Sequence, residues 1–246
     1  MLTRRQFLQK CALTIAASYG GYWRLPSTAS AAGAPIPVPV YHRVGEGTGD
    51  LTIAGGRLAE DLRILADNGY LTLTVGQLKE HLHASRPLPE KAVFLTFDDG
   101  YLDNYAAAFP LLASYGMTAS FFVITSLLGQ PGRMTASQIM EMSAAGMYIG
   151  SHTVSHRPLA TLAKWEATLE LQISKACLED LLGKEVGAVA YPCGSYNDDT
   201  LAAAREAGYW AGFTVRRGWA DTAADPLALN RLPIFRNGRR LAAHLS

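Results

Sequence analysis

The chain has 246 residues, with 22 basic and 21 acidic side chains and a formal charge of +1. Four of the basic residues and none of the acidic ones lie in residues 1–31, so residues 32–246 carry 18 basic against 21 acidic side chains, a formal charge of −3. This balance gives no reason to expect a nucleic acid or an anionic membrane as partner. A segment of this length can bury one substantial core, as single α/β barrels of similar size do.

The first residues have the features of an export signal. Arg4 and Arg5 precede a short apolar stretch, and the small residues 29–31 fit an A-x-A cleavage site. The arginine pair, followed by a phenylalanine and a leucine, resembles a twin-arginine signal. An uncleaved membrane anchor is the alternative, but the apolar stretch is shorter than the about 20 residues of a membrane span, and two glycines interrupt it. We predict a cleaved signal at residues 1–31, and a periplasmic or secreted domain at 32–246 with no stable membrane span.

From residue 35 onward the chain alternates predicted helices and strands. Helical segments repeatedly stop at a glycine that a strand follows, as at Gly69, Gly116, Gly146 and Gly208. Strands are predicted at 36–41, 70–74, 93–97, 119–123, 147–150, 188–191 and 209–215, with an eighth at 229–235. Alternating helices and strands with short connections indicate parallel strands covered by helices. We predict a single closed or nearly closed (β/α)7-8 barrel, with an open doubly wound sheet as the alternative.

Two adjacent carboxylates, Asp98 and Asp99, follow the predicted strand at 93–97, and Gly100 comes next. Side chains alternate along a strand, so these two point in different directions unless the backbone turns between them. The strand end therefore offers one acid for each of two tasks. The alternative is an Asp-Asp-Gly turn with no chemical role.

Two histidines, His152 and His156, follow the predicted strand at 147–150. A spacing of four places both imidazoles on one face of a helix, and two imidazoles with a carboxylate suit a zinc site with an open position. A pair of structural or solvent-facing histidines is the alternative. In parallel barrels the carboxyl ends of the strands gather on the face that holds the active site. The segments 41–43 and 191–194 also end strands, so we expect four polar segments at one barrel mouth.

The segment Thr96-Phe97-Asp98-Asp99-Gly100, together with His152-Thr153-Val154-Ser155-His156, resembles the motifs of the polysaccharide deacetylase (NodB-homology) family. The resemblance runs from about residue 38 to 235. It implies a distorted (β/α) barrel and metal-dependent removal of N- or O-acetyl groups from glycans. It also implies that Asp98 is the general base. The implied ligands of one divalent metal ion are Asp99, His152 and His156. Zinc is favoured, although cobalt, nickel or manganese would suit similar ligands.

The other family motifs are altered. The third usually reads Arg-x-Pro-Tyr-Gly, but here the segment is Ala190-Tyr191-Pro192-Cys193-Gly194, so the charge partner of the base is missing. Arg231 is the candidate replacement, with a surface arginine as the alternative. The backbone N–H of Cys193 could still contact an oxyanion. The late Leu-x-His motif that supplies the acid is absent. Residues 41–44 resemble the N-terminal segment of the poly-N-acetylglucosamine deacetylase branch, in which a histidine is the acid, so His42 is predicted to take that role. A packed histidine is the alternative.

The expected reaction is hydrolysis of an amide or ester by a water that the cation makes acidic. Asp98 would take the water's proton, the Cys193 N–H would stabilise the oxyanion, and His42 would protonate the leaving group. The predicted substrate-binding residues are Tyr101, Asn104, Tyr191, Pro192, Gly194 and Trp219, with Tyr196 as a further aromatic. For each aromatic taken alone, core packing is the favoured alternative. We expect an acetylated glycan as substrate and a monomer. Cys177 and Cys193 could form a disulfide, but free thiols are favoured.

Two other classes of protein remain open on sequence grounds. A barrel glycoside hydrolase could use two carboxylates, but these must stand ~5–9 Å apart, which favours different strands and leaves the histidines unexplained. A non-catalytic glycan-binding relative would keep the barrel and lose the base or the acid. Metal analysis with a deacetylation assay separates the three.

Overall fold

The computed structural model describes residues 34–245, and the predicted signal at 1–31 lies outside them. Its strands in chain order are β1 (Pro39–Tyr41), β2 (Arg43–Val44), β3 (Thr52–Ile53), β4 (Leu71–Thr72), β5 (Ala92–Val93), β6 (Thr96–Phe97), β7 (Ser120–Val123), β8 (Tyr148–Ser151), β9 (Ala188–Ala190), β10 (Ala211–Arg217) and β11 (Leu229–Pro233). Its α-helices are α1 (Gly55–Asp67), α2 (Val75–Ala84), α3 (Phe109–Ser114), α4 (Ala136–Ala144), α5 (Lys164–Leu182), α6 (Asp198–Glu206) and α7 (Ala242–Leu245). One π-helical turn, Asn104–Ala108, leads into α3.

Seven parallel strands form a closed barrel in the order β1, β11, β10, β9, β8, β7, β6, and β6 returns to pair with β1. Pro39 of β1 lies opposite Leu232 of β11, so the first and last strands of the chain close the wall. The predicted parallel (β/α) barrel is confirmed. Within the described residues, no helix is long and apolar enough to span a membrane.

The predicted strand at 70–74 is not part of the barrel, and the strand predicted at 229–235 takes the seventh place. Strand β4 pairs with β5 in a separate ribbon, and Leu71 is half exposed. The run predicted at 93–97 divides into β5 and β6, which pair with different neighbours. Leu73 is buried among the side chains at the amino-terminal end of the barrel, including Phe94. The 70–74 segment therefore covers that end instead of extending the wall.

Aromatic residues fill both faces of the barrel wall. Phe121 and Phe122 are neighbours on β7 and point to opposite faces, as adjacent residues of a strand must. Phe122 lies inside against Phe213, with ring centroids 5.3 Å apart. Phe121 lies outside and stacks on Phe97 at 4.8 Å, within the cluster that the helices cover. Each fully buried aromatic ring contributes roughly 2–3 kcal/mol through burial, so these layers hold the strand ends in place.

Helix α1 holds the carboxyl-terminal segment through buried polar groups. Arg57 donates hydrogen bonds to the carbonyls of Phe235 at 2.7 Å and Arg239 at 3.0 Å. One turn further along, the fully buried Asp61 accepts a hydrogen bond from the Tyr41 hydroxyl at 3.1 Å. Tyr41 immediately precedes His42, so this contact also fixes the end of β1.

The buried carboxyl of Asp61 should give the protein a measurable pH dependence. Burial raises the pKa of Asp61. An acid whose pKa is higher in the folded state stabilises the protein most below its unfolded pKa, about 3.9, and loses that contribution as the pH rises through the folded pKa. The unfolding free energy of the wild type minus that of Asp61→Asn should therefore fall as the pH rises from about 4 to 7. Urea unfolding of both proteins across this range measures it, and a difference that grew with pH would contradict the assignment.

Candidate active site

Polar segments follow four barrel strands and meet at the carboxyl-terminal mouth. His42 follows β1, the Asp98-Asp99 pair follows β6, His152 follows β8, and the turn Pro192–Gly194 follows β9. All four strands are parallel, so these ends share one side of the barrel.

The backbone turns sharply between the two aspartates. Asp99 and Gly100 have φ angles of +73° and +65°, two consecutive residues in the left-handed region. A side chain at Gly100 would place its Cβ 3.0 Å from Cγ1 of Val123, so both conformation and space call for glycine. As a result, Asp98 faces a barrel arginine and Asp99 faces the two histidines.

Asp98 forms a buried ion pair with Arg231 of β11. The guanidinium donates two hydrogen bonds to the carboxylate, from Nη1 to Oδ1 at 2.9 Å and from Nη2 to Oδ2 at 2.6 Å. The Nε of Arg231 donates to the carbonyl of Thr214 at 2.8 Å, which fixes the plane of the guanidinium. Burial alone would raise the pKa of Asp98, but Arg231 outweighs it and the pKa lies below its ordinary value. Asp98 is therefore a charged base inside the barrel.

Asp99, His152 and His156 bring three ligand atoms together. Oδ1 of Asp99 lies 3.3 Å from Nε2 of each histidine, and this buried oxygen has no hydrogen-bond partner among the described residues. Nδ1 of His152 donates a hydrogen bond to the carbonyl of Ala190 at 2.7 Å, so Nε2 is the ring nitrogen that would bind a cation. Tetrahedral zinc with ligands at 2.0–2.1 Å separates its ligand atoms by about 3.3 Å. The donor set thus fits a divalent cation.

The charge on Asp99 is stabilised by the same histidines. Burial opposes ionisation, but the imidazoles of His152 and His156 hold the pKa of Asp99 far below its ordinary value. The carboxylate is therefore anionic and ready to act as a ligand.

The two histidines do not lie on a helix, so that part of the sequence prediction is wrong. After β8 the chain forms a loop in which Thr153 and His156 have φ angles of +65° and +62°. In a helix, backbone carbonyls would accept the N–H groups of this segment, but in the loop side-chain oxygens accept them. Ser151 Oγ accepts from the Thr153 N–H, and Thr153 Oγ1 accepts from the His156 N–H. The spacing of four brings the rings together, with centroids 4.8 Å apart, because the loop folds back.

Glu170 of α5 holds this loop from behind. Its Oε2 accepts hydrogen bonds from the N–H groups of Val154 and Ser155, both at 2.9 Å, and its Oε1 accepts the Ser155 hydroxyl. Sequence reasoning missed Glu170, because nothing near residue 170 marks it and only the folded chain brings it to the loop. The carboxylate fixes the two residues between the histidines and so sets the distance between the imidazoles.

Replacing Glu170 with alanine should weaken divalent-metal binding about 10–100-fold, as loss of outer-shell support does in other metal sites. Titration calorimetry with zinc or cobalt measures the affinity. Glu179→Ala is the matched control, because Glu179 lies on the same helix and also accepts a backbone N–H, from Val186, but does not contact the loop. Equal metal affinity of the two variants would show that Glu170 stabilises α5 without setting the site.

His42 lies beside both aspartates. The charged groups that act on it include Asp98, Asp99 and Arg231, and burial lowers its pKa. Its Nδ1 is buried without a hydrogen-bond partner in the described chain. The Asn104 side chain donates to the His42 carbonyl at 2.7 Å and fixes its backbone. His244, by contrast, is influenced by Arg217 and Arg239 and lies outside this cluster.

Several residues predicted to bind substrate have other roles. Asn104 is fully buried and holds His42, so it is not available to a ligand. Tyr191 is also fully buried, with its hydroxyl donating to the Leu227 carbonyl, and Pro192 is buried beside it. Trp219 adjoins Ile36 and Leu88, which precede β1 and β5, at the amino-terminal end of the barrel. The predicted substrate-binding role of these four residues is therefore wrong: three of them are buried, and Trp219 lies at the other end of the barrel.

Three of the predicted residues remain at the mouth. Tyr101 is partly exposed beside Asp99, between Arg43 and Arg133. Cys193 is exposed with a φ of +56°, and Gly194 is partly exposed, with no room for a side chain because a Cβ would lie 2.8 Å from the Val215 nitrogen. Cys177 and Cys193 are both free thiols, as expected.

Comparison with known proteins identifies the family. Residues 85–212 match the family profile described as Polysaccharide deacetylase, which covers half of the chain. The chain is 35% identical over 201 residues to YxkH of Bacillus subtilis (strain 168), a protein assigned by name to the polysaccharide deacetylases; the match covers 82% of this chain and 72% of YxkH. This chain belongs to the polysaccharide deacetylase family. It is a hydrolase that acts on carbon–nitrogen bonds other than peptide bonds.

Solved structures agree with this assignment. The deacetylase superposes on the Streptococcus pyogenes deacetylase PplD, solved in complex with acetate, with a TM-score of 0.83 and 32% identity, covering 87% of this chain and 99% of PplD. A shorter match, 34% identical over 94 residues, relates it to the poly-β-1,6-N-acetyl-D-glucosamine N-deacetylase of Escherichia coli (strain K12) and covers 37% of this chain and 14% of that protein.

Proposed function

We propose that this deacetylase removes acetyl groups from an N-acetylated glycan by metal-dependent hydrolysis. One observation carries the proposal. At the barrel mouth, a buried Asp98–Arg231 ion pair lies beside the ligand set of Asp99, His152 and His156. O-acetyl groups on the same kind of glycan are chemically accessible to the same groups.

The residues would divide the work as follows. A divalent cation held by Asp99 and the two histidines would supply positive charge that polarises the acetyl carbonyl and acidifies a water. Asp98 accepts the proton of the attacking water, and Arg231 keeps Asp98 charged until then. The backbone N–H of Cys193, at the exposed turn after β9, donates to the developing oxyanion.

His42 is the proposed proton donor to the leaving nitrogen. His42 follows β1, which pairs with β6 on the side away from β7 and β8, and the Asn104 side chain holds its backbone carbonyl. The lowered pKa that burial produces makes its imidazolium a stronger acid. Zinc is the ion we expect, since the two imidazoles and one carboxylate leave an open position.

A glycoside hydrolase mechanism is not favoured by this site. Asp98 is engaged by Arg231 on both oxygens, and Asp99 faces the histidines, so neither carboxylate is placed as a nucleophile. We also propose that the protein acts outside the cytoplasm, which rests on the predicted signal at 1–31, and cell fractionation tests it.

Deacetylation of chitooligosaccharides, with release of acetate, tests the function directly. The purified residues 32–246 should carry about one divalent ion per chain and should lose both metal and activity in His152→Ala. Acetate release that continues unchanged after the metal is removed and its absence verified would refute the metal-dependent mechanism.

A further inference from the structure

Two tyrosine–arginine pairs lie at the barrel mouth. In the first, the Tyr101 ring has the guanidinium of Arg133 at 4.0 Å and that of Arg43 at 4.8 Å from its centroid. In the second, the guanidinium of Arg216 lies 5.0 Å from the centroid of Tyr196. The other partner of Tyr196 is the buried Tyr191, whose ring is stacked on it at 5.6 Å.

The two pairs flank the metal ligands from opposite sides. Tyr101 follows β6 and Tyr196 follows β9, and these strands stand three places apart around a seven-stranded barrel. His152, after β8, lies between them along the wall. A glycan chain that crosses the mouth with one acetyl group at the metal ligands would therefore pass one pair before the reacting sugar and the other after it.

Arg133 and Arg216 are available to a ligand. Neither Arg133 nor Arg216 forms an ion pair with an acidic side chain anywhere in residues 34–245, whereas Arg43 is paired with Asp103 at 3.0 Å. Arg133 is fixed by donating to the Asp99 carbonyl at 2.6 Å. Arg133 and Arg216 therefore each bring a positive charge without an acidic partner to the mouth of a domain whose formal charge is −3.

These two sites present positively charged guanidinium groups to a ligand, and not open aromatic faces. A neutral glycan is bound by stacking sugars on open aromatic faces, but guanidinium groups lie over both of these rings. A guanidinium presents a planar set of N–H donors that matches the two oxygens of a carboxylate. Stacking on tyrosine also limits the freedom of the arginine side chain, so less is lost when the anion binds.

We propose that the substrate is an acidic glycan, with carboxylates on the sugars next to the acetylated one, and that Arg133 and Arg216 bind those carboxylates. This inference rests on the proposed function and narrows its substrate class. It changes the role predicted for Tyr101 and Tyr196, which hold the arginines instead of contacting a sugar directly.

A matched pair of oligosaccharides tests the proposal. The first probe is a hexasaccharide of alternating N-acetylglucosamine and glucuronic acid, and the second is the same hexasaccharide with its carboxylates converted to methylamides. The kcat/KM for the free carboxylates should be about 3- to 30-fold higher at low salt, and the ratio should fall towards 1 in about 0.5 M salt as screening increases. Arg216→Gln should lower the ratio. Arg205→Gln is the control, since Arg205 is an exposed arginine paired with Asp225 and should leave the ratio unchanged.

The outcomes separate this proposal from the proposed function. Equal kcat/KM for the two probes, or a ratio that does not change in Arg216→Gln, overturns the acidic-glycan proposal and leaves deacetylation standing. If neither probe is hydrolysed, the dissociation constants from calorimetry decide: tighter binding of the free carboxylates supports the proposal, and equal binding overturns it. Failure to release acetate from any glycan counts against the proposed function alone.

Discussion

Asp98→Asn should lower kcat on an N-acetyl oligosaccharide about 10²–10⁴-fold, the usual contribution of a general base. Asparagine has the same shape and keeps one oxygen to accept a hydrogen bond from Arg231, but it leaves the buried guanidinium without its counter-charge, so kcat is measured on protein whose folding has been verified. Metal content should be unchanged, because the ligand set of Asp99 and the histidines is intact. Asp67→Asn, at an exposed aspartate paired with Arg63, is the control and should retain full activity.

Substitutions at Arg231, the partner of Asp98, separate the chemical role of Asp98 from its effect on stability. Arg231→Met leaves Asp98 buried without its counter-charge, which should cost about 3–5 kcal/mol of stability. Adding Asp98→Asn to Arg231→Met should recover much of that stability and none of the activity. Urea unfolding and acetate release measure the two effects. An Asp98→Asn enzyme with near-normal kcat would show that the base lies elsewhere.

His42→Ala should lower the rate on an N-acetyl oligosaccharide about 10²–10⁴-fold while metal binding remains. The loss should be much smaller on an aryl acetate, because a phenolate leaves with little need of a proton. The selective loss follows from the position of His42, whose charged neighbours are Asp98, Asp99, Arg231 and His152.

His244→Ala is the comparison for this prediction. His244 lies near the carboxyl terminus, and its carbonyl accepts the Trp219 indole N–H at 2.9 Å. It should therefore show no substrate-selective loss. If His244→Ala lost activity only on the amide, and His42→Ala lost both substrates equally, the acid would be at the carboxyl terminus.

The sequence predicted the barrel and the meeting of its strand ends, because glycine stops and alternating elements are local signals. It also marked Asp99, His152 and His156, whose motifs are short and lie directly after strands. The helix expected at 152–156 was wrong because a spacing of four is equally compatible with a loop whose backbone is held by Ser151, Thr153 and Glu170.

Local sequence patterns could not predict which polar residues are buried or which residues distant in the sequence pair with each other. Asn104 and Tyr191 are polar residues near motifs, yet packing places them inside the protein. Arg231 lies 133 residues from Asp98, and only barrel closure could decide between an ion pair and a surface arginine. Glu170 lies on α5 and contacts the histidine loop only because α5 packs against β8.

Closure of the barrel also determines when the site can form during folding. The wall is complete only when β11 docks between β10 and β1, and this step joins nearly the two ends of the described chain. Contacts between residues so far apart in sequence form slowly, because the chain loses the entropy of closing the loop before the contacts stabilise it. Asp98, Asp99 and both histidines belong to segments before β11, but Arg231 arrives with it. A refolding chain should therefore regain metal binding before it regains a charged, paired base, and hydrolysis should return in the last kinetic phase.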